Sequence, residues 1–252
     1  MNRPIIAHAR PLLSIGVRTT LLSPKLDIGC PTLGYIQKME LSHVLNRGVD
    51  KRQVFSDDRD RARFLHDLFV FNDQQPVIHY KRPERKSENR ARKLLVHIHA
   101  FCLMPNHYHL LLSPVAENGI PLFMKKLSMG YTKYFNERHG RSGALWQGKY
   151  KRIPIERDSH FLYIPYYIHL NALDLSYPEW RNGKVRDVRG ALKYLNSYRW
   201  SSHPDYNEIK NFPSITQREF LSSLLGTKKN YEKELGDIIT DPELAQQSLV
   251  LE

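Results

Sequence analysis

The chain has 252 residues, enough for one sizeable core or a core domain with extensions, and its formal net charge of +12 favours polyanionic partners: DNA, RNA or an anionic membrane surface. No run of about 18 apolar residues occurs, which excludes a conventional membrane-spanning helix, and no signal-peptide pattern opens the chain, so a cytoplasmic protein is expected. Its two cysteines, Cys30 and Cys102, form no close-spaced metal or redox motif and fit a reducing compartment.

Residues 1–38 are punctuated by Pro4, Pro11, Pro24 and Pro31 and hold no periodicity, so a poorly structured extension is expected there. A domain is expected to begin near Met39, itself a candidate start of the native protein. Leu41 to Gly48 reads as a short strand ending in a glycine turn. Asp57-Asp58 then open a helix, with Ala62, Leu65, Leu68 and Phe69 at helical spacing and an end near Asn72. Residues 81–93 are a charged run with seven basic side chains, read as a solvated loop or an arm for a phosphate backbone.

Leu94 to Met104 and His107 to Leu112 read as two strands joined by a turn at Met104-Pro105-Asn106. A second helix is expected from about Pro121 to Arg138, stopping at His139-Gly140. Residues 141–155 read as a glycine turn and a strand. A third helix is expected from Asp158 or Ser159 to about Asn171. A tail containing Trp and Tyr follows, with a small helix expected from Gln217 to Leu225. Strand, helix, two strands, helix, strand, helix is the order of an α+β domain: a ferredoxin-like antiparallel sheet with helices packed on it.

Two constellations carry chemistry. His107-Tyr108-His109 on a strand turns two imidazoles to one face, where they can give two nitrogen ligands to one divalent cation. His97-Ile98-His99 has the same spacing, and local geometry does not choose between the pairs. Tyr163, Tyr167 and Asn171 are spaced by four and share a helix face. A tyrosine hydroxyl can act as a nucleophile, but with an ordinary pKa of about 10 it needs help at neutral pH. The bland reading of each is structural: a satisfied histidine pair and an aromatic face packed in the core. Tyr108 and Trp146 can stack a base or pack in the fold.

Met104-Pro105-Asn106-His107-Tyr108-His109-Leu110-Leu111-Leu112 resembles the signature of the REP-associated tyrosine transposases, within the insertion-sequence-200-like single-tyrosine HUH family. Four further blocks match in order: Asn46-Arg47-Gly48, Gly143 to Lys151, Tyr167-Ile168-His169-Leu170-Asn171, and Tyr198-Arg199-Trp200-Ser201-Ser202. Together they cover roughly residues 40–206. The resemblance implies HUH histidines on a central strand and a nucleophilic tyrosine on a C-terminal helix. It also implies a transposase-type endonuclease that binds hairpin-containing single-stranded DNA, cuts it through a 5′-phosphotyrosine and rejoins it, with Mg or Mn as cofactor.

Carried over to this chain, the resemblance makes Tyr167 the nucleophile and His107 and His109 metal ligands, and so selects them over His97 and His99. Asn171 falls where the family places a polar ligand, often a glutamine one methylene longer. Ala172 replaces a common proline, and Pro165 lies inside the expected helix, where it removes a hydrogen bond. Tyr166 is the fallback nucleophile. Arg141, Lys149, Lys151 and Arg152 flank the site in sequence and are candidate phosphate contacts. The expected division is 1–38 extension, 39–175 catalytic domain and 176–252 C-terminal extension. The protein is expected to act as a monomer or homodimer on palindromic repeat ends. The competing readings are a domesticated, non-catalytic DNA- or RNA-binding protein on the same fold, a replication initiator or relaxase, and a structural zinc protein built on histidines 97, 99, 107 and 109.

Overall fold

The computed structural model describes residues 40–75 and 91–246, the side chains of Asp158 and Ser159 excepted. The expected extension 1–38 and most of the charged run 81–93 lie outside the described residues. β1 (Ser42–Arg47) leads through a 3-10 turn into α1 (Asp58–Val70). The side chain of Asp57 accepts the Asp60 N–H at 3.1 Å and caps that helix. β2 (Val96–Met104) and β3 (His107–Pro114) form the hairpin, and α2 (Gly119–Arg138), β4 (Lys151–Pro154) and α3 (Asp158–Leu170) follow.

The four strands form one sheet in the order β2-β3-β1-β4, with every neighbouring pair antiparallel. That order, in a β-α-β-β-α-β sequence, is the ferredoxin-like arrangement. β1 and β3 occupy the centre of the sheet. Their register pairs Arg47 with His107, Leu45 with His109 and His43 with Leu111. Because side chains alternate between faces, these residues share one face, and Val44, Tyr108, Leu110 and Leu112 share the other.

The second face carries the main core. Helices α1 and α2 lay Phe64, Leu68, Phe123, Leu127 and Tyr131 against it, all fully buried. Phe64 sits among four rings, with centroids 5.0 Å from Tyr108 and Tyr131, 5.2 Å from Phe55 and 6.4 Å from Trp146. Tyr108 and Trp146 therefore pack in the fold and present no face for a base. Asp60 is fully buried and joins the two helices, accepting from Tyr134, Arg138 and Ser56 and pairing with His139.

The strand expected within residues 141–155 is shorter than the sequence suggests. Only residues 151–154 pair along β1, and residues 143–150 form a loop. That loop is nevertheless tied to the end of β1. Trp146 bridges Gly48, and the N–H groups of Gln147 and Val49 donate to Arg47 and Leu145 carbonyls at 2.9 and 3.0 Å. Gly48 lies so close to the Arg52 carbonyl and the Val54 side chain that a Cβ there has no room.

The tail is more structured than its sequence suggests. Beyond 3-10 turns at Asn171–Leu175 and Pro178–Asn182 come α4 (Val188–Ser197), α5 (His203–Tyr206), α6 (Glu219–Leu225), α7 (Lys228–Thr240) and α8 (Pro242–Gln246). The Tyr198–Ser202 block covers the outer edge of β2. The Leu103 N–H donates to the Trp200 carbonyl at 2.9 Å, the Ser202 N–H to the Phe101 carbonyl at 3.0 Å, and the Tyr198 hydroxyl to the Leu103 carbonyl at 2.6 Å. An edge strand is thereby shielded from pairing with another chain. The face of the sheet opposite the main core receives α3, which packs on β2 and β3.

Two predictions follow from this packing. Phe64→Ala removes a fully buried ring at the junction of both core helices and the sheet, and should cost about 3–5 kcal/mol in urea unfolding. The second concerns buried neutral histidines. Burial, followed by the charge of His97, brings His99 down to about 4, and burial alone brings His203 down to about 3, from 6.5. Each is neutral when folded and takes a proton when unfolded, so its stabilisation is complete above pH 6.5 and is lost as pH falls towards the folded value. Between pH 6.5 and the folded value each should lower stability by about 1.4 kcal/mol per pH unit of acidification. Urea midpoints should therefore fall between pH 7 and pH 5, and less steeply in His203→Gln.

Candidate active site

Three histidines meet on the α3 side of the two central strands. His107 and His109 stand two apart on β3, with ring centroids 5.0 Å apart. His43 enters from β1, diagonally across the ladder from His109. Its ring stacks on His109 with centroids 5.1 Å apart and an angle of 15° between planes, and its Nε2 lies 2.9 Å from His109 Nδ1. His43 and His109 are buried, while His107 is half-buried. His107 donates from Nδ1 to the Asn106 amide oxygen at 2.6 Å, which leaves Nε2 as its basic nitrogen.

His109 Nε2 is buried and has no hydrogen-bond partner. Its pKa is held well below the usual histidine value, first by burial and then by the nearby His107, His43, Arg181 and Arg47. A neutral imidazole with an unused buried nitrogen is the donor a divalent cation needs. The residues present therefore fit a cation held by His107 and His109. Among the described residues no group of three or more His, Cys, Asp or Glu side chains is placed to hold a metal ion. Any further ligand has to be an amide, a water or the substrate, and the four-histidine zinc reading has no geometry behind it. His99 instead bonds Ser113 Oγ through Nε2 at 2.8 Å and packs against Phe220 of α6.

Helix α3 brings Tyr167 to this cluster. Its ring lies edge-on to His109, with centroids 5.7 Å apart, and to His43 at 5.8 Å. The helix runs on through Pro165 to Leu170. Tyr166 turns away and stacks on Tyr231 of α7 at 5.6 Å, so the two adjacent tyrosines serve different surroundings. Tyr163 is buried, and its hydroxyl is raised above the ordinary tyrosine range chiefly by that burial.

The end of α3 is clamped. His169 bonds Ser202 Oγ at 2.8 Å and the Tyr231 hydroxyl at 2.7 Å, and that hydroxyl meets His203 Nδ1 at 2.9 Å. All these groups are buried, so the network holds the tyrosine helix against the C-terminal helices.

Asn171 follows α3 and is fully buried. Its Nδ2 donates to the Tyr167 carbonyl at 2.7 Å, and its Oδ1 accepts from Arg181 at 3.0 Å. Arg181 also holds both carboxylate oxygens of Asp174, at 2.9 and 2.7 Å, and its guanidinium lies over the Tyr167 ring, 5.9 Å from the centroid. The amide oxygen expected to meet a metal is thus engaged by a guanidinium.

A cleft of about 330 Å³ opens beside the histidines, lined by Leu45, Asn46, Arg47, His107, His109, Gln147, Gly148, Lys149 and Lys151. Tyr167 is fully buried and does not form its wall. Of the four basic residues singled out in the sequence, Lys149 and Lys151 reach the cleft. Arg152 pairs with Val44 and so points to the opposite face of the sheet, where its Nε donates to Ser42 Oγ at 2.9 Å. Arg141 donates to Asn136 Oδ1 at 2.6 Å and to the Ala144 carbonyl at 3.3 Å, holding the loop after α2. Sequence reasoning passed over His43, Arg47, Gln147 and Arg181. Alternation along β1 groups His43 with Arg47, whereas nothing local marks Arg181.

Residues 64–171 match a family model described as "Transposase IS200 like", a span that takes in His107, His109, Tyr167 and Asn171. One solved structure similar to this chain is that of a REP-associated tyrosine transposase bound to a REP hairpin. The likeness covers 73% of this chain and 88% of that one, at 13% identity and a TM-score of 0.42. No curated protein sequence matches the chain.

Proposed function

We propose that this chain is an IS200-like transposase, on the match of residues 64–171 to that family model, and that it cleaves and rejoins single-stranded DNA at hairpin ends through Tyr167. The observation that carries this reading is the meeting of Tyr167 with the histidine pair, its ring edge-on to His109 across 5.7 Å. The spare Nε2 of His109 and two lysines in the adjoining cleft support it.

In this mechanism Lys149 and Lys151, with Arg47 beside them, draw the sugar–phosphate backbone into the cleft. His107 and His109 would hold a Mg or Mn ion, which when bound would supply charge neutralisation and orientation of the scissile phosphate. The Tyr167 hydroxyl loses its proton and attacks phosphorus in line with the departing 3′ oxygen. A tyrosine–phosphorus ester bond forms, the P–O3′ bond breaks, and the 3′ oxygen takes up a proton. One phosphodiester is exchanged for another, so attack by a second 3′-hydroxyl reverses the step and joins strands without an energy source.

Arg181 has a place in this scheme. Arg181 does not line the cleft, and a phosphate that reached its guanidinium would compete there with Asn171 and Asp174. With Arg181 withdrawn, the Asn171 amide oxygen would be available as a further oxygen donor. The burial of Tyr167 favours a second reading, in which the same fold binds DNA or RNA without cutting it.

One assay separates the two. The protein is incubated with single-stranded oligonucleotides from the flanks of its own gene, with Mg or Mn, and resolved on a denaturing gel. A covalent protein–DNA adduct is expected, absent from Tyr167→Phe and from His107→Ala. Tight binding with no adduct for any flank would establish the binder instead. In the same samples, Lys149→Ala with Lys151→Ala should weaken binding and flatten the salt dependence by about 0.7 in log–log slope per lysine removed. Arg152→Ala should leave that slope unchanged.

A further inference from the structure

We propose that Tyr231 is a positioning residue for strand cleavage: it sets the rotation of α3 so that Tyr167, and not its neighbour Tyr166, faces His43 and His109. This role rests on the reading of Tyr167 as the nucleophile. Tyr231 lies on α7, well beyond the matched family span.

The helix supplies the geometric premise. Adjacent residues on an α-helix point about 100° apart, whereas residues three apart share a face. Tyr166 and His169 are three apart, and Tyr231 engages both. Its ring stacks on Tyr166, with centroids 5.6 Å apart and 28° between planes. Its hydroxyl meets His169 Nδ1 at 2.7 Å. With that face of α3 occupied, Tyr167 is turned edge-on to His109 and His43. A rotation of α3 by one residue would exchange the two tyrosines.

Tyr231 is itself held by a chain of hydrogen bonds that has one consistent direction. The Glu232 carboxylate accepts from Asn207 Nδ2 at 2.8 Å, which fixes the orientation of that amide. The same Nδ2 donates to Asn196 Oδ1 at 2.6 Å, and that oxygen also accepts from His203 Nε2 at 2.9 Å. His203 is neutral, brought down to about 3 by burial, so its Nδ1 is an acceptor and takes the Tyr231 hydroxyl proton at 2.9 Å. The Tyr231 oxygen then accepts from His169 Nδ1. His169 Nε2 accepts from Ser202 Oγ at 2.8 Å, and Ser202 Oγ accepts the Phe101 N–H at 2.9 Å. Asn207 Oδ1 is the one buried atom of these side chains without a partner, and it is an acceptor, which is cheaper to leave unused than a donor. The chain therefore runs from α7 through α3 to β2 and passes through the Tyr231 hydroxyl. Without that hydroxyl, the His169 Nδ1–H and the His203 Nδ1 lone pair both lose their partner.

The test uses the full chain, single-stranded oligonucleotides from the flanks of its own gene, and Mn²⁺, at a temperature where circular dichroism shows every protein folded. Three quantities are read: DNA affinity by fluorescence anisotropy without metal, the single-turnover rate of adduct formation at saturating DNA, and the modified tyrosine by peptide mapping. Tyr231→Phe keeps the ring on Tyr166 and loses only the hydroxyl. It should bind DNA as wild type does, because the lysines of the cleft are untouched. Its adduct should form about 10–100-fold more slowly. Tyr231→Ala removes the ring as well and should divert part of the adduct from Tyr167 to Tyr166. Asn196→Ala removes an outer anchor from a half-buried position. It should slow the adduct in the same direction, and it carries the test if the Tyr231 variants do not fold. Ile238→Ala opens a cavity on the same helix outside the chain, and should lower stability but leave the rate and the modified tyrosine unchanged.

A folded Tyr231→Phe protein with the wild-type adduct rate would overturn this role and leave the nuclease reading standing. So would equal slowing in Ile238→Ala, or an adduct confined to Tyr167 in Tyr231→Ala. A wild-type protein that forms no adduct with any flank would bring down the nuclease reading and this role with it.

Discussion

The antiparallel pairing of β1 with β3 is the constraint on which the rest of the site depends. With Leu45 set opposite His109, alternation sends His43, Leu45, Arg47, His107 and His109 to one face, and Val44, Tyr108, Leu110 and Leu112 to the other. A slip of one residue would bury the histidines under α1 and α2 and expose the tyrosine and leucines. The aromatic packing around Phe64 is what makes that slip expensive. The core on one side of the sheet thus fixes the chemistry on the other.

Around that face the remaining parts have separate tasks. The Tyr198–Ser202 block closes the edge of β2, and the His169–Tyr231–His203 network fastens α3 to the C-terminal helices. Tyr167 is consequently held against the histidines by residues far outside the matched family span. Arg181, from the same C-terminal region, spans Asn171 and Asp174 across the end of α3.

Much of the fold was legible in the sequence because its signals are local. The Asp57 cap, the Pro105-Asn106 turn and the apolar runs that flank it give the order of elements. His107 and His109 were legible for the same reason, since two apart on a strand is a local relation. Tyr167 and Asn171 came from helical spacing and from resemblance. What stayed hidden is long-range. His43 acquires its partner through strand pairing, and Arg181 lies in a stretch with no periodic signal. Lys151 and Arg152 look equivalent in sequence, yet the register of β4 turns Lys151 to the cleft and Arg152 away from it. The expected strand over residues 141–155 came out short because hydrogen bonds to the end of β1 fold residues 143–150 into a loop.

The central claim is that one particular tyrosine of three on α3 attacks DNA. Tyr163, Tyr166 and Tyr167 all lie on that helix, and only Tyr167 packs against His43 and His109. The most direct measurement is peptide-mapping mass spectrometry on protein reacted with a cleavable single strand and then digested with protease and nuclease. The account predicts a nucleotide mass on Tyr167, with Tyr163 and Tyr166 unmodified. A nucleotide on either of those two would contradict it.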